Sequence, residues 1–357
     1  MKVNFLLNSV GDLHAIKRIE DFKAWGANVS VYGFKRENES KAYPDAIIVG
    51  SFPNSLRYKK RIAIYYHGVR TAIQKEKDND AIWFYLGLDV AMFAFFINRK
   101  AKYIYEECDL VHTYVSNHII YRILEKVDRC IIKHSYKSLL TSDGYLDFHY
   151  GKVNQYPSNI IIVPNKLTSR IKNFGYIDRE TNKNHLRFAF VGVIRYLFFL
   201  NIANSISKNF GNHEFHFYGF MSQIMNESQL PKADNIFYHG SYVSPDDLPK
   251  IYENVDVLIC TYDVNSLNIR YAEPNKLYEA IYFSCPIIVS KNTFLAEKVE
   301  NMNIGYSIDP NNESEVIAMV KQIETTYDTI VENLTQMNRD SAIDDISYVD
   351  SLLMERD

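Results

Sequence analysis

Three polar residues in the stretch YAEPNKLYEAIYFSCPIIVS, Tyr271 to Ser290, have the types and spacing to hold a nucleotide. Asn275, Lys276 and Glu279 fall at the start of a predicted helix, Asn275 to Phe283, that Pro274 is suited to open because proline fits the first helical turn. A helix start presents unpaired N–H groups and the positive end of the dipole, which together hold phosphate, and Lys276 adds a full charge there. Asn275 and Glu279 are four apart and share a face. Glu279 then sits one turn deeper, where a carboxylate can grip ribose hydroxyls while Asn275 and Lys276 meet a diphosphate. The same spacing also fits an ordinary surface ion pair between Lys276 and Glu279, worth about 0.3 kcal/mol. Spacing by itself leaves both readings open.

The elements that must position these residues read as two α/β domains. Val3 to Leu7 is a strand-length apolar run, the loop Asn8 to Asp12 follows, and Leu13 to Trp25 carries apolar residues at helical spacing up to Gly26. Asn28 to Tyr32, Ala46 to Val49 and Ile62 to Tyr66 read as further strands, followed by a helix over Ser116 to Val127 and strands over Cys130 to Lys133 and Asn159 to Val163. The polar run DRETNKNH, Asp178 to His185, reads as a linker. Beyond it the unit restarts: strands over Leu186 to Val191, Glu214 to Tyr218 and Ile236 to His239, with helices over Leu197 to Lys208 and Asp246 to Glu253. Val255 to Thr261 and Pro286 to Ser290 are continuous apolar runs suited to strands covered on both faces. The expected domains are therefore 1–180 and 186–335, with a helical tail over 336–357 that could cross back to the first domain. Two open α/β domains meet at a cleft fed by the carboxyl ends of their strands, which is where ligands bind.

Composition narrows the class. With 357 residues, 47% hydrophobic and 23% charged, the chain can bury two cores. A net charge of −3 gives no overall attraction to polyanions, so nucleic acid is not an expected partner. Cys108, Cys130, Cys260 and Cys285 show no CxxC pairing, and no metal site is expected. Reduced thiols and an N-terminus without a signal-peptide pattern fit a cytoplasmic protein. The apolar stretch Ile82 to Ile97 is broken by Asp89 and short for a membrane span. It fits a buried core helix, or a surface lying on a bilayer with Arg99, Lys100 and Lys102 on anionic headgroups, at the inner face of the membrane. Arg57, Lys59, Lys60 and Arg61 add a second basic cluster in the same half.

The segment Tyr271 to Ser290 resembles the donor-binding region of retaining glycosyltransferases of the family-4 type, many of which make capsular polysaccharide or exopolysaccharide. Lys276-Leu277-Tyr278-Glu279 matches the family's helix, and Pro286-Ile287-Ile288 its following strand. FVGVIR, Phe190 to Arg195, is similar to the family's glycine-and-arginine turn; IIIVPN, Ile160 to Asn165, to its end-of-first-domain signature; and HGSYVSPDDLPKIYENVDVLI to the stretch leading into the donor loop. The similarity covers most of residues 130 to 310. It implies the GT-B architecture, two Rossmann-like α/β domains facing across a cleft, with the acceptor on the first and the sugar nucleotide on the second.

Carried over residue by residue, the resemblance makes Glu279 the ribose carboxylate, Arg195 and Lys276 the cations on the diphosphate, and Gly192, Asn275 and Leu277 further contacts to the nucleotide. It points to His67 in YYHGVR, following the expected strand Ile62 to Tyr66, as a group that orients the sugar or takes the acceptor's proton. Glu106, Glu107 and Asp109 in YIYEECDL form an acidic cluster able to contact the acceptor, with a solvated helix end as the alternative. Gly11 would let substrate close to the backbone of the first loop. The family's glutamate pair has seven residues between its members, and the place eight before Glu279 is Tyr271; Glu273 is acidic but displaced. The lysine that usually follows the arginine is replaced by the apolar run Leu197 to Leu200.

The expected chemistry is transfer of a hexose-type sugar, with retention, from a nucleoside diphosphate sugar to a hydroxyl of a glycan, lipid-linked in cell-surface polysaccharide synthesis. The nucleotide sugar, a UDP-sugar by first expectation, is a co-substrate, and neither cofactor nor metal is required: Arg195, Lys276 and the helix start stabilise the leaving diphosphate. Other readings are a sugar-nucleotide epimerase or inverting transferase on the same fold, and a catalytically weak partner subunit of another transferase.

Overall fold

The computed structural model describes residues 1–354 apart from 38–41, 54, 77, 79, 152–154, 178–181, 196, 197 and 223–228. The chain forms two compact units, one made of Met1–Pro164 with Asp345–Asp357, the other of Asn165–Asp344.

Unit 1 has strands β1 (Lys2–Leu7), β2 (Asn28–Arg36), β3 (Ile47–Phe52), β4 (Ile82–Leu86), β5 (Tyr103–Glu107), β6 (Lys137–Leu140) and β7 (Ile160–Ile162). Its helices are α1 (Leu13–Ala24), α2 (Tyr58–Lys75), α3 (Leu88–Ile97), α4 (His118–His134) and α5 (Asp143–Tyr150), with a last short helix over Tyr348–Leu353. The sheet order is β3-β2-β1-β4-β5-β6-β7 and every pairing is parallel. The continuous, fully buried strand β4 suits this arrangement, because helices cover both faces of a parallel sheet. Phe5, Phe22 and Phe84 form the aromatic centre of the core, with ring centroids 4.6 to 5.3 Å apart.

Unit 2 repeats the plan with β8 (Arg187–Val191), β9 (Glu214–Tyr218), β10 (Ile236–Gly240), β11 (Val257–Cys260), β12 (Ile287–Ser290) and β13 (Gly305–Ile308). Its helices are α6 (Phe198–Asn209), α7 (Leu248–Tyr252), α8 (Leu267–Tyr271), α9 (Lys276–Tyr282), α10 (Phe294–Asn301) and α11 (Glu313–Gln336). The order is β10-β9-β8-β11-β12-β13, again all parallel. Each sheet is therefore an open, doubly wound Rossmann-like layer.

Several sequence expectations change. Ile62 to Tyr66 is not a strand but the middle of α2, whose buried positions Tyr65, Val69 and Ala72 follow helical spacing. Ile82 to Ile97 is not one helix: Gly87, with φ of +84°, splits it into the buried strand β4 and the helix α3. Cys130 to Lys133 continues α4, and the neighbouring strand is Lys137–Leu140. The boundary between units falls at Pro164/Asn165 rather than within 178–185, because Leu167 and Ile171 belong to the core of unit 2 and Leu167 bridges to Ile343. Of the expected linker, residues 178–181 lie outside the described residues, as does Leu197 of the expected helix start. Of the expected tail 336–357, residues 345–357 belong to unit 1, where Tyr348 donates to Asp21 at 2.8 Å and Trp25 donates to Asp350 at 2.6 Å.

Candidate functional site

Three loops meet at the carboxyl end of the unit 2 sheet, and glycines let them approach. Gly192 follows β8, Gly219 follows β9 and Gly240 ends β10; all three have positive φ. The N–H of Gly192 donates to Tyr218 at 2.8 Å, and that of Gly219 donates to Gly240 at 2.7 Å. A Cβ on Gly219 would lie 1.8 Å from the Gly192 carbonyl oxygen, so no larger residue fits there. Arg195 continues the β8 loop and is exposed.

Glu279 is buried on α9 with 1% of its surface exposed. The Lys276 ammonium donates to both of its oxygens at 2.6 Å, Asn275 Nδ2 donates to Oε1 at 3.1 Å, and the Tyr252 hydroxyl donates to Oε2 at 2.6 Å. Burial works against the Lys276 charge, but Glu279 beside it prevails and raises the pKa above the ordinary lysine value. Burial, reinforced by the Glu279 charge, pushes the Tyr252 hydroxyl well above the usual tyrosine range. Lys276 also lies over the Tyr242 ring, 5.9 Å from its centroid. Burial, with Cys260 beside it, raises the hydroxyl of the partly buried Tyr262.

This geometry changes the expected roles. Lys276 and Glu279 do form an ion pair, but a buried one rather than a surface pair, and Lys276 is turned inward to the carboxylate rather than outward to a phosphate. The α9 helix is only seven residues long, and the N–H groups of Leu277 and Tyr278 already donate to the carbonyls of Pro274 and Asn275 at 3.1 and 3.0 Å. Its start is thus a weaker phosphate holder than the sequence suggested. Leu277 packs its side chain into the core of unit 2. Glu273 does not reach toward a sugar: it is buried, accepts from the Tyr278 hydroxyl and pairs with Lys298. Tyr271 ends α8, half-buried.

In unit 1, His67 does not follow a strand; it lies on the exposed face of α2. Gly11 lies in the loop before α1, whose N-cap Asp12 accepts from the N–H groups of His14 and Ala15. Glu106 and Glu107 are not a solvated helix end. Both belong to β5 and are fully buried, and strand alternation sends them to opposite faces of the sheet. Glu106 accepts from Arg18 Nε at 2.9 Å and lies 2.8 Å from His14 Nε2. Burial would raise its pKa, but Arg18 and His14 more than reverse this and lower it to about 2. Glu107 contacts His149 Nε2 at 2.8 Å. With both carboxylates enclosed, neither is placed to touch an acceptor, whereas Asp109 is exposed.

Sequence reasoning missed Tyr242 and Tyr252, which contact Lys276 and Glu279 in unit 2, and His14 and Arg18, which hold Glu106 in unit 1. Tyr242 and Tyr252 fall inside the stretch HGSYVSPDDLPKIYENVDVLI, but an uncharged phenol among many tyrosines carries no spacing signal of its own.

Residues 171–339 match the family model described as Glycosyl transferases group 1. No curated protein matches the chain. Among solved structures, HepE from Anabaena in complex with UDP and glucose is similar at 13% identity and a TM-score of 0.69, over 98% of this chain and 97% of that one. Sucrose-phosphate synthase from Thermosynechococcus elongatus is similar at 11% identity and a TM-score of 0.68, over 99% and 98%. WaaG, a glycosyltransferase involved in lipopolysaccharide biosynthesis, is similar at 13% identity and a TM-score of 0.66, over 99% and 100%. The chain has the GT-B glycosyltransferase fold, two parallel-sheet Rossmann-like domains.

Proposed function

We propose that this GT-B chain, with a group 1 glycosyltransferase match over most of its second unit, transfers a hexose-type sugar from a UDP-sugar to a glycan hydroxyl with retention of configuration. The observation that carries the reading is Glu279: a carboxylate buried beside the glycine loops of the second sheet and held by Asn275, Lys276 and Tyr252. Glu279 is as enclosed as Glu106 and Glu107, so ribose hydroxyls reach it only by displacing its Lys276 or Tyr252 hydrogen bond, and the UDP bound by HepE supports a uridine nucleotide as the ligand. Lys276 serves as a positioning residue that neutralises and aims Glu279. Arg195, on the exposed loop after β8, supplies the charge for the diphosphate, together with the backbone of the glycine turn at Gly192. As the glycosidic bond to phosphate breaks, negative charge grows on the diphosphate and this cation stabilises it. Calorimetry with UDP and a transfer assay over a panel of UDP-sugars test the reading. Loss of UDP binding in Glu279→Ala with the fold intact supports it, and full activity in that variant overturns it.

A second reading is favoured by Glu273 and Tyr271. The displaced acid is committed to Lys298 and Tyr278, and a phenol stands where the family pattern has a carboxylate. The chain would then bind the nucleotide as a weak partner of another transferase. UDP binding without turnover, with transfer restored by a second protein, is its signature.

We further propose that the acceptor is lipid-linked and that unit 1 rests on an anionic bilayer. Helix α3 packs between α2 and α4. Together they expose Tyr58, Ile62, Tyr66, Phe96, Ile119, Ile120 and Ile123 beside Arg57, Lys59, Lys60, Arg99, Lys100, Arg122 and Lys126. Apolar side chains entering the headgroup layer with cations around them is the composition of an interfacial surface. Among the described residues, no helix is long and apolar enough to cross a membrane. Co-sedimentation with vesicles containing phosphatidylserine, lost in Ile119→Ser/Ile123→Ser, tests this; equal sedimentation of the variant overturns it. In this reading the chain works at the inner face of the membrane in cell-surface polysaccharide synthesis.

A further inference from the structure

We infer that Glu107, His112 and Asp128, with His149 braced against Glu107, form an enclosed binding site for one divalent transition-metal cation of the zinc type inside unit 1. The four come from four elements: the end of β5, the 3-10 turn Val111–Tyr114, α4 and α5. All are buried, three of them with no exposed surface and His149 with 3%.

Glu107, His112 and Asp128 each offer one ligand atom, and the three atoms lie within 4.8 Å of one another. His112 Nδ1 is 3.0 Å from Asp128 Oδ2, yet neither atom makes a well-formed hydrogen bond. Both atoms are buried, and a cation between them would satisfy both. Donors about 2.1 Å from one zinc at the tetrahedral angle are themselves about 3.4 Å apart, close to the spacing seen. His149 Nε2, 2.8 and 3.1 Å from the two Glu107 oxygens, braces that carboxylate from outside the triad. Outside this ring the Tyr105 hydroxyl donates to Asp128 Oδ1 at 2.8 Å, which fixes the carboxylate and turns Oδ2 toward His112. Such outer contacts are what set ligand orientation in metal centres.

Charge points the same way. Two carboxylates face each other in an enclosure, and no lysine or arginine among the described residues is hydrogen-bonded to either. A divalent cation binds the deprotonated carboxylates and offsets their charge. An imidazole with two carboxylates favours zinc, cobalt or iron(II) over magnesium or calcium, which prefer an all-oxygen set.

The test uses the full chain, stripped with a chelator and titrated with Co²⁺ and Zn²⁺. We expect one metal per chain by mass spectrometry, a visible cobalt band of tetrahedral nitrogen–oxygen coordination, and a higher thermal midpoint of the wild type with metal than with chelator. His112→Gln should lose the band. Tyr105→Phe, which leaves the ligands in place, should weaken binding about tenfold or more. Failure of the wild type to take up metal, or uptake unchanged in His112→Gln and Asp128→Asn, overturns the inference. None of these readouts depends on sugar transfer, so they stand apart from the donor-site assignment.

Discussion

The ammonium of Lys276 sits 2.6 Å from each oxygen of Glu279, one turn along the same short helix, and both side chains are buried. A pair of this kind contributes little net stability, yet breaking it is costly, since one charge is left in the core without its partner. Lys276→Met should therefore destabilise unit 2 by about 3–5 kcal/mol. Adding Glu279→Gln to it should recover most of that loss, because the uncompensated charge is gone. Urea unfolding of the two variants checks this. A single variant within about 0.5 kcal/mol of wild type, the usual range for surface changes, would show that the pair is not closed in solution.

Arg195→Ala should leave the fold unchanged, because the side chain is exposed on a loop. Its loss should fall on turnover: removing one group that stabilises developing charge costs about 10²–10³ in kcat. Circular dichroism and initial rates with the preferred UDP-sugar, measured on the same preparation, separate the two effects. Undiminished kcat would remove Arg195 from the diphosphate.

Gly219→Ala places a methyl group 1.8 Å from the carbonyl oxygen of Gly192 at a φ of +139°, so the backbone must move. Strain at such a position costs about 1–3 kcal/mol, and the shift should also displace the Gly192 turn. We expect a lower thermal midpoint together with weaker UDP binding. The same substitution at Gly211, where nothing lies within 4 Å of the added atom, should do neither.

Acid stability of unit 1 should depend on Glu106. Its pKa in the folded chain, about 2, lies below the ordinary 4.5 because Arg18 and His14 favour the charged form. A lowered carboxylate contributes fully above its unfolded pKa, so this contribution is complete above pH 4.5 and drains away as pH falls toward 2. Urea midpoints measured down this range should fall for wild type. Glu106→Gln, already destabilised by its unpaired Arg18, should show a flatter acid limb. Parallel limbs would mean that the pair is not the source.

The sequence determined the fold class of both halves, because continuous apolar strands alternating with amphipathic helices have few stable arrangements other than covered parallel sheets. It also picked out Asn275, Lys276 and Glu279 as a group, since helical spacing brings residues one turn apart together. Short apolar runs were ambiguous. RIAIYY fits a strand or a helix by pattern, and only its packing in α2 decides; IWFYLGLDVAMFAFFI looks like one helix until Gly87 turns left-handed.

Tertiary structure alone decided burial and direction. It turned Lys276 inward, committed Glu273 to Lys298, left His67 exposed, and enclosed Glu106 and Glu107 on opposite faces of β5. It also gathered Glu107, His112, Asp128 and His149 from four elements with no motif between them. Spacing along a chain records which residues can share one helix or strand. Which charges share one enclosure depends on how distant elements pack, and that is set by the whole core rather than by any local run of residues.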